Sequence, residues 1–474
     1  MPADSRSRAK TARGKTAHGK TAQGKAARGG AARAKSARAK SARAKAAQGK
    51  TAQDEAAHGS AEAIARRVLG AGRGDRSGGI GLAAAAAIAL VWANWPGSRS
   101  YDATWSAIAP WSHALGLKLS VRDWINDGLM VGFFTLVGLE IRRETSEGEL
   151  RSGRRSASPI LAAGAGMVLP ALIYLAAVQG HPGAGGWGIP MATDVAFALG
   201  ALALVAPRGS GRTRVFLMTL AVADDIGSVI VLVAFYSADV AWVPLVGGLG
   251  CLAAMGILHL RRLLPWWACV ALGALSWWAF VNAGVEPAVV GVAVGLCLVP
   301  LPQGEHQRGE RLLEPFVNLA ILPLFALANV GLRLVGSGLG SGAALRVLVA
   351  VAVARLVGKP VAIAAATLAV TRLAGPGYDP RLDRRAVVGV GALASIGFTV
   401  PLLIIRAALP DGPLAAGATA GLLIATALGF ATGAVLFRSP TRPRPTRLAR
   451  PGRRARGVSG KRRSSAGPSS GGLL

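Results

Sequence analysis

Long apolar runs follow one another along most of the chain. They recur near residues 80–95, 125–141, 159–178, 190–206, 213–236, 241–260, 264–282, 286–300, 316–332, 344–371, 386–408 and 412–437. A helix needs about 20 mainly apolar residues to cross a bilayer. The pattern therefore predicts an all-α polytopic membrane protein with about twelve transmembrane helices.

Two of these runs are interrupted by helix-breaking residues. The interruptions are Gly188 and Pro190 at the start of the run 190–206, and Gly391, Gly397 and Pro401 within the run 386–408. The two runs occupy matching positions in two groups of three spans, 159–236 and 344–437. Paired broken segments of this kind indicate the binding site of a transporter, near the middle of the membrane.

The net charge of +31 comes mainly from the two ends of the chain. Residues 1–51 repeat a short basic unit and carry 15 Lys/Arg against one Asp, and residues 438–474 carry 11 with no acid. Segments with so little to bury are predicted to be disordered. We therefore expect basic tails at 1–75 and 438–474 around a membrane domain at 76–437. A phosphate-loop pattern at 14–21 arises from the repeat and lacks the flanking strand and helix that nucleotide binding requires.

Basic residues are divided unequally between alternate connections. One set of connections carries sixteen arginines and the alternating set carries five basic residues. The positive-inside bias assigns the first set, and with it both termini, to the cytoplasm. The tails are interpreted as solvated, with no specific nucleic-acid partner. Loose association with anionic lipid, or DNA binding with the membrane part as an anchor, is the alternative.

Two adjacent aspartates, Asp224 and Asp225, interrupt the run 213–236. The twelve Leu, Ile, Val and Phe of Val215–Tyr236 favour insertion by roughly 4 to 7 kcal/mol, and two central aspartates, at about 2.5 to 3.5 kcal/mol each, cancel nearly all of it. Intramembrane carboxylates usually mark ion or proton pathways; a structural, hydrogen-bonded pair is the alternative. Because adjacent helical residues diverge by about 100°, we expect one to face an aqueous cavity and the other a neighbouring helix.

Further buried charges lie in the matching spans. Asp194 follows Thr193 in the first interrupted run, and Lys359 is too deep in the run 344–371 to reach either surface easily. Broken helices expose amides and carbonyls that need partners, so an aspartate near amide ends and a lysine near carbonyl ends would compensate them. A salt bridge that only joins helices is the alternative for Lys359. Arg355, one turn earlier, is a second buried base with no predicted partner.

The cysteines give no sign of a cofactor. Cys251, Cys269 and Cys297 all lie within apolar runs and have neither CxxC spacing nor a spaced histidine. We therefore expect neither disulfides nor a metal site from them, and no cofactor.

Several long motifs resemble the NhaA family of sodium/proton antiporters. In chain order over about residues 77–437 they are WINDGLM, VGLEIRRE, IPMATDVAFALGALAL, FLMTLAVADDIGSVIV, ILPLFALANVGL, LVGKPVAI and ASIGFTVPLLI. The resemblance implies inverted repeats whose two interrupted helices cross at the midplane. It implies an electrogenic transporter, not an enzyme, that extrudes sodium or lithium from a bacterial cell in exchange for external protons. It also implies a lipid-embedded protein of the plasma membrane and allows a homodimer.

The resemblance also implies roles for individual residues. Asp224 and Asp225 would bind the cation and protons with Thr193 beside them, Asp194 and Lys359 would compensate the interrupted helices, Asp127 would line the cation path, and Glu140, Arg143, Glu144 and Glu310 would sense pH. The chain departs from the family at Glu286, where a histidine is common, so its pH profile stays open. The alternative function is sodium- or proton-coupled symport of an organic anion, for which Arg355 is the candidate substrate contact.

Overall fold

A computed structural model describes most of the chain between residues 78 and 438. The described residues are 78–96, 99–146, 153–206, 211–237, 240–261, 263, 265–298, 313–374 and 382–438. The predicted tails, apart from Arg438 at the end of the last helix, lie outside these ranges, as does Glu310.

Helices account for the regular structure of the described ranges, apart from an isolated antiparallel bridge between Ile108 and Ser120. The longer helices are α1 (Gly78–Asn94), α2 (Arg99–Ser106), α3 (Val121–Thr145), α4 (Gly153–Val178), α5 (Val195–Val205), α6 (Gly211–Tyr236), α7 (Trp242–Leu260), α8 (Trp266–Ala283), α9 (Ala288–Cys297), α10 (Leu313–Asn329), α11 (Gly342–Leu373), α12 (Arg384–Ala394), α13 (Thr399–Ala408) and α14 (Pro413–Arg438).

These helices correspond to the twelve predicted runs. Within the described ranges, six helices are long and apolar enough to cross a membrane, and two bent pairs, α1 with α2 and α12 with α13, each pass the same test together. Four shorter apolar helices, α5, α8, α9 and α10, complete the set. The predicted all-α membrane fold is confirmed.

Helix α6, which carries the paired aspartates, lies at the centre of the bundle. An apolar 18-residue stretch of α6 is 61% buried by the rest of the protein, against 17% for one of α7. Neighbouring helices approach closely where one of them has a glycine, which has no side chain; such contacts are common between membrane helices. A Cβ at Gly295 of α9 would collide with the Thr135 carbonyl of α3, and one at Gly421 of α14 with the Leu348 carbonyl of α11. These glycines thus set the spacing of α9 against α3 and of α14 against α11.

Helix α11 widens into a π-helical turn at Ala354–Gly358. Pro360 lies two residues beyond Gly358, the last residue of this turn, and it has no N–H to donate to the carbonyl four residues earlier, which lies in the turn. A second π turn, Val317–Ile321 in α10, precedes Pro323 in the same way. Such turns often occur at functional sites, and the one in α11 carries Arg355 and leads directly into Lys359.

The two interrupted segments meet at their breaks. The first break, residues 189–194, separates a short 3-10 turn, Ala184–Gly188, from α5, and the second, residues 395–398, separates α12 from α13, which are bent by 47°. The backbone N–H of Asp194 donates to the carbonyl of Ile396 at 3.1 Å. The breaks therefore lie against each other, beside the middle of α6.

Candidate functional site

Asp224 lies at the centre of the site and is fully buried. Its Oδ2 is 2.8 Å from the Nζ of Lys359, which is also fully buried. Its Oδ1 is buried and has no hydrogen-bond partner among the described residues. The sequence left open which of the two aspartates pairs with Lys359. The rotation of α6 about its axis places Asp224 against the lysine.

The hydroxyl of Thr193, in the first break, joins Asp224 to the C-terminal end of α12. It lies 2.7 Å from Asp224 Oδ2 and 2.9 Å from the carbonyl oxygen of Ala394. A threonine hydroxyl has one hydrogen, so it donates to only one of these acceptors at a time. When Asp224 is ionised the hydroxyl can donate to it, and when Asp224 is protonated the hydroxyl can accept and donate to Ala394 instead. The geometry therefore accommodates both protonation states of Asp224.

Asp225 is buried next to this cluster but is bound differently. Its side chain is 3% exposed, and within the described part of the chain its carboxylate has neither a hydrogen bond nor an ion pair. Asp194, Asp224 and Glu140 act on it electrostatically as like charges, and Lys359 as an opposite charge. Its oxygens are therefore not engaged by protein donors within the described residues.

Asp194 caps two helices at once. It is the N-cap residue of α5, where its Oδ1 accepts from the Phe197 N–H at 3.2 Å. Its Oδ2 accepts from the N–H and the hydroxyl of Thr399, the first residue of α13, at 3.4 and 3.2 Å. Amides at a helix N-terminus have no partner within the helix and carry partial positive charge. The carboxylate thus lies where the N-terminal ends of α5 and α13 meet.

The carbonyl ends are bound by two cations instead of one. Lys359 donates to the carbonyl of Met191 as well as pairing with Asp224. The guanidinium of Arg355 donates to the carbonyls of Ser395 at 3.0 Å, Ile189 at 3.2 Å and Ala192 at 2.8 Å. Sequence reasoning noted Arg355 but missed its partners, because backbone carbonyls at a break have no sequence signature.

The residues expected to sense pH lie together on α3, apart from Glu310. Glu140 and Arg143 form a partly exposed ion pair at 4.0 Å. Glu144 is 3% exposed and accepts from the Thr219 hydroxyl of α6 at 3.3 Å. This group connects to the aspartates through the electrostatic interaction of Glu140 with Asp225.

Asp127 belongs to a second group of charges. Its backbone carbonyl accepts from the indole of Trp277, and its side chain interacts electrostatically with Asp123 and Arg406, which form an ion pair with each other. Glu286, the departure from the family pattern, is a further acidic neighbour of Asp127. The structure thus brings Thr193, Asp194, Asp224, Asp225 and Lys359 into one site, with Asp127 in this second cluster.

Comparisons with known proteins find relatives over most of the chain. The family described as Na+/H+ antiporter 1 matches residues 72–437. A Na(+)/H(+) antiporter NhaA from Thermobifida fusca is 40% identical over 383 residues, which cover 77% of this chain and 92% of the relative. Proteins with the same name from Acidovorax and Cronobacter sakazakii are 40% and 37% identical, over 76% and 77% of this chain and 88% and 96% of their own lengths.

Proposed function

The chain belongs to the Na+/H+ antiporter 1 family, and from this premise we propose that it exchanges sodium or lithium for protons at Asp224 and Asp225. The observation that carries the proposal is the meeting of two helix breaks at a buried carboxylate pair with a lysine and a threonine hydroxyl. Anchoring in lipid does not account for such a site, because buried charges disfavour insertion.

Asp225 is proposed as the principal cation ligand. Sodium is a hard cation and favours oxygen ligands, as calcium and magnesium do. The carboxylate of Asp225 has no bonded protein partner among the described residues, whereas that of Asp224 is paired with Lys359 and Thr193. The unpartnered Oδ1 of Asp224 gives a second oxygen in the same buried region, and Thr193 lies beside it.

Asp194 and Lys359 are proposed to hold the charge balance of the breaks. Helix N-termini stabilise anions and C-terminal carbonyls stabilise cations. The two N–H groups that Asp194 accepts from and the Met191 carbonyl that Lys359 contacts support these assignments.

Exchange follows from competition for the same oxygens. A protonated carboxylate has lost its negative charge and binds sodium poorly, so a proton and a sodium ion exclude each other from the same oxygens. If the site opens to one side of the membrane at a time, sodium leaves only when protons replace it. Two carboxylates allow two protons to replace one sodium, so each cycle moves one net charge and transport is electrogenic. We assign the direction as sodium outward and protons inward.

The outlying residues are proposed to line and regulate the path. Asp127 would contact the cation on its way to the site, and its cluster with Glu286 and Arg406 supports a polar route there. Glu140, Arg143 and Glu144 would sense pH next to Asp225, and Glu310 is assigned with them from its motif alone. Both termini would be cytoplasmic and the basic tails solvated, in a lipid-embedded plasma-membrane protein that can form a homodimer.

Symport of an organic anion is not favoured. That function needs a cationic side chain free to bind substrate, and Arg355 was its candidate. The guanidinium instead hydrogen-bonds three backbone carbonyls in a fully buried position. The arginine is therefore part of the protein framework.

Vesicle transport tests the proposed function. Everted membrane vesicles with an imposed pH gradient receive sodium or lithium, and collapse of the gradient is followed by a fluorescent pH probe. Wild type should collapse the gradient, whereas Asp224→Asn and Asp225→Asn should not. Asp411→Asn, at an exposed turn before α14, is the matched control and should behave as wild type. Undiminished collapse in both site variants would exclude these residues as carriers.

A further inference from the structure

Arg355 is the largest fully buried side chain in the described part of the protein. An arginine in the interior of a membrane protein costs several kcal/mol unless its charge and donors are satisfied. The proposed function uses Asp224 and Asp225 for exchange and Lys359 for charge balance, and it gives this second cation no part in cation binding. Its position therefore needs a separate explanation.

The guanidinium joins the two breaks. Its Nε donates to the carbonyl of Ser395, the C-cap residue of α12, and one terminal nitrogen donates to the carbonyl of Ile189, the C-cap of the 3-10 turn. The other terminal nitrogen donates to Ala192 within the first break. A cation is favourable at helix C-termini. The planar fork of arginine, unlike an ammonium group, presents several donors at fixed angles.

The backbone of Arg355 takes part in the same connection. The N–H of Lys359 donates to Ala354 in the π pattern, five residues back. The corresponding donor for the carbonyl of Arg355 would be Pro360, which has no N–H. That carbonyl instead accepts from the Ser395 hydroxyl at 2.6 Å. The π turn and its proline therefore direct one polar backbone atom of α11 to the second break.

Gly397 provides the space that the guanidinium occupies. A Cβ at this position would overlap the terminal nitrogen of Arg355 and would also press on the carbonyl of Ala192. With any other residue type at position 397, the second break could not approach Arg355 so closely. Arg355, Gly397 and the two breaks therefore pack against one another as one unit.

This unit is connected to Asp224 through Thr193. Ala192, bound by Arg355, directly precedes Thr193, whose hydroxyl contacts Asp224. We propose that Arg355 is a positioning residue for the cation site, which fixes both breaks through its three carbonyl contacts and thereby sets the affinity and size selectivity for the alkali cation. This inference rests on the proposed function.

The test compares Arg355→Gln and Arg355→Lys with wild type in the vesicle assay, using sodium and lithium over a range of concentrations. Loss of supporting contacts around a bound cation typically weakens affinity by about 10- to 100-fold. We expect the apparent KM for sodium to rise by about tenfold in both variants, with a smaller change in maximal rate and an altered ratio of sodium KM to lithium KM. Lysine keeps the charge but not the fork, so it should not rescue the KM.

Controls separate this inference from the proposed function. Arg346→Gln, an exposed arginine of the same helix, should keep the wild-type KM for both ions. If wild type itself shows no cation-driven exchange, the proposed function fails. If wild type exchanges but Arg355→Lys keeps the wild-type KM and ion ratio, the positioning role is overturned. Should Arg355→Gln fail to fold, the lysine variant decides alone.

Discussion

The buried pair of Asp224 and Lys359 should be strongly coupled in folding stability. Their charged atoms are 2.8 Å apart and both side chains are fully buried. Removing one member of a buried ion pair leaves the other charge without compensation and costs about 3 to 5 kcal/mol. Removing both together avoids that penalty. Asp224→Asn and Lys359→Met are therefore each expected to destabilise by about 3 kcal/mol, and the double variant by about 2 kcal/mol less than their sum.

A second ion pair in the same protein provides the control. Asp102 and Arg333 are 2.6 Å apart, but their side chains are 53% and 38% exposed. Solvent screens such pairs, and their coupling is typically below about 1 kcal/mol. The two pairs thus share a short distance and differ in burial.

The assay is denaturant unfolding of the purified protein in detergent micelles, followed by tryptophan fluorescence. Both double-variant cycles are measured under one set of conditions, and the coupling free energy is compared between pairs. If the coupling of Asp224 with Lys359 is no larger than that of Asp102 with Arg333, the ion pair is not the buried contact described here.

Three further predictions follow from other parts of the structure. Asp194→Ala removes the cap of two helices and should destabilise the protein by about 2 to 4 kcal/mol. Ser341→Ala removes a single cap, at the start of α11, and should cost about 1 kcal/mol. Unfolding titrations compare the two variants, and equal costs would contradict the double cap. Gly391→Ala should lower the thermal unfolding midpoint, because the new Cβ would meet the backbone of α11 at 2.7 Å. In the control variant Gly250→Ala the new Cβ meets open space, so the midpoint should rise slightly. A midpoint of Gly391→Ala at or above that of wild type would contradict the close packing. Deleting residues 1–70 should leave the initial rate of sodium-driven gradient collapse unchanged per mole of protein, since the tail is proposed to be solvated, and loss of exchange would favour a functional tail.

The spans and the principal charged residues could be predicted from sequence because both follow from the cost of polarity in lipid. Four charged residues stand out because each lies within an apolar run and makes the insertion of that run into lipid less favourable. They are Asp194, Asp224, Asp225 and Lys359. The breaks were predictable from their glycines and prolines for a related reason, since these residues disrupt helical hydrogen bonding.

The partners within the site could not be predicted in this way. Adjacent aspartates point about 100° apart, so the rotation of α6 decides that Asp224, and not Asp225, meets Lys359. The contacts of Arg355 are with backbone carbonyls from distant parts of the chain, and any residue type has such a carbonyl. Likewise, the proximity of Asp127 and Glu286 depends on how α3 and the start of α9 pack, which no local pattern encodes.

The central claim is that sodium and protons compete for the oxygens of Asp224 and Asp225. The most direct measurement adds sodium chloride to the purified protein in weakly buffered detergent solution and records proton release with a pH indicator, with choline chloride as the ionic-strength control. The account predicts that sodium releases protons from wild type and that this release is lost when both aspartates are replaced by asparagine. Sodium binding without proton release from wild type, or undiminished release from the double variant, would contradict it.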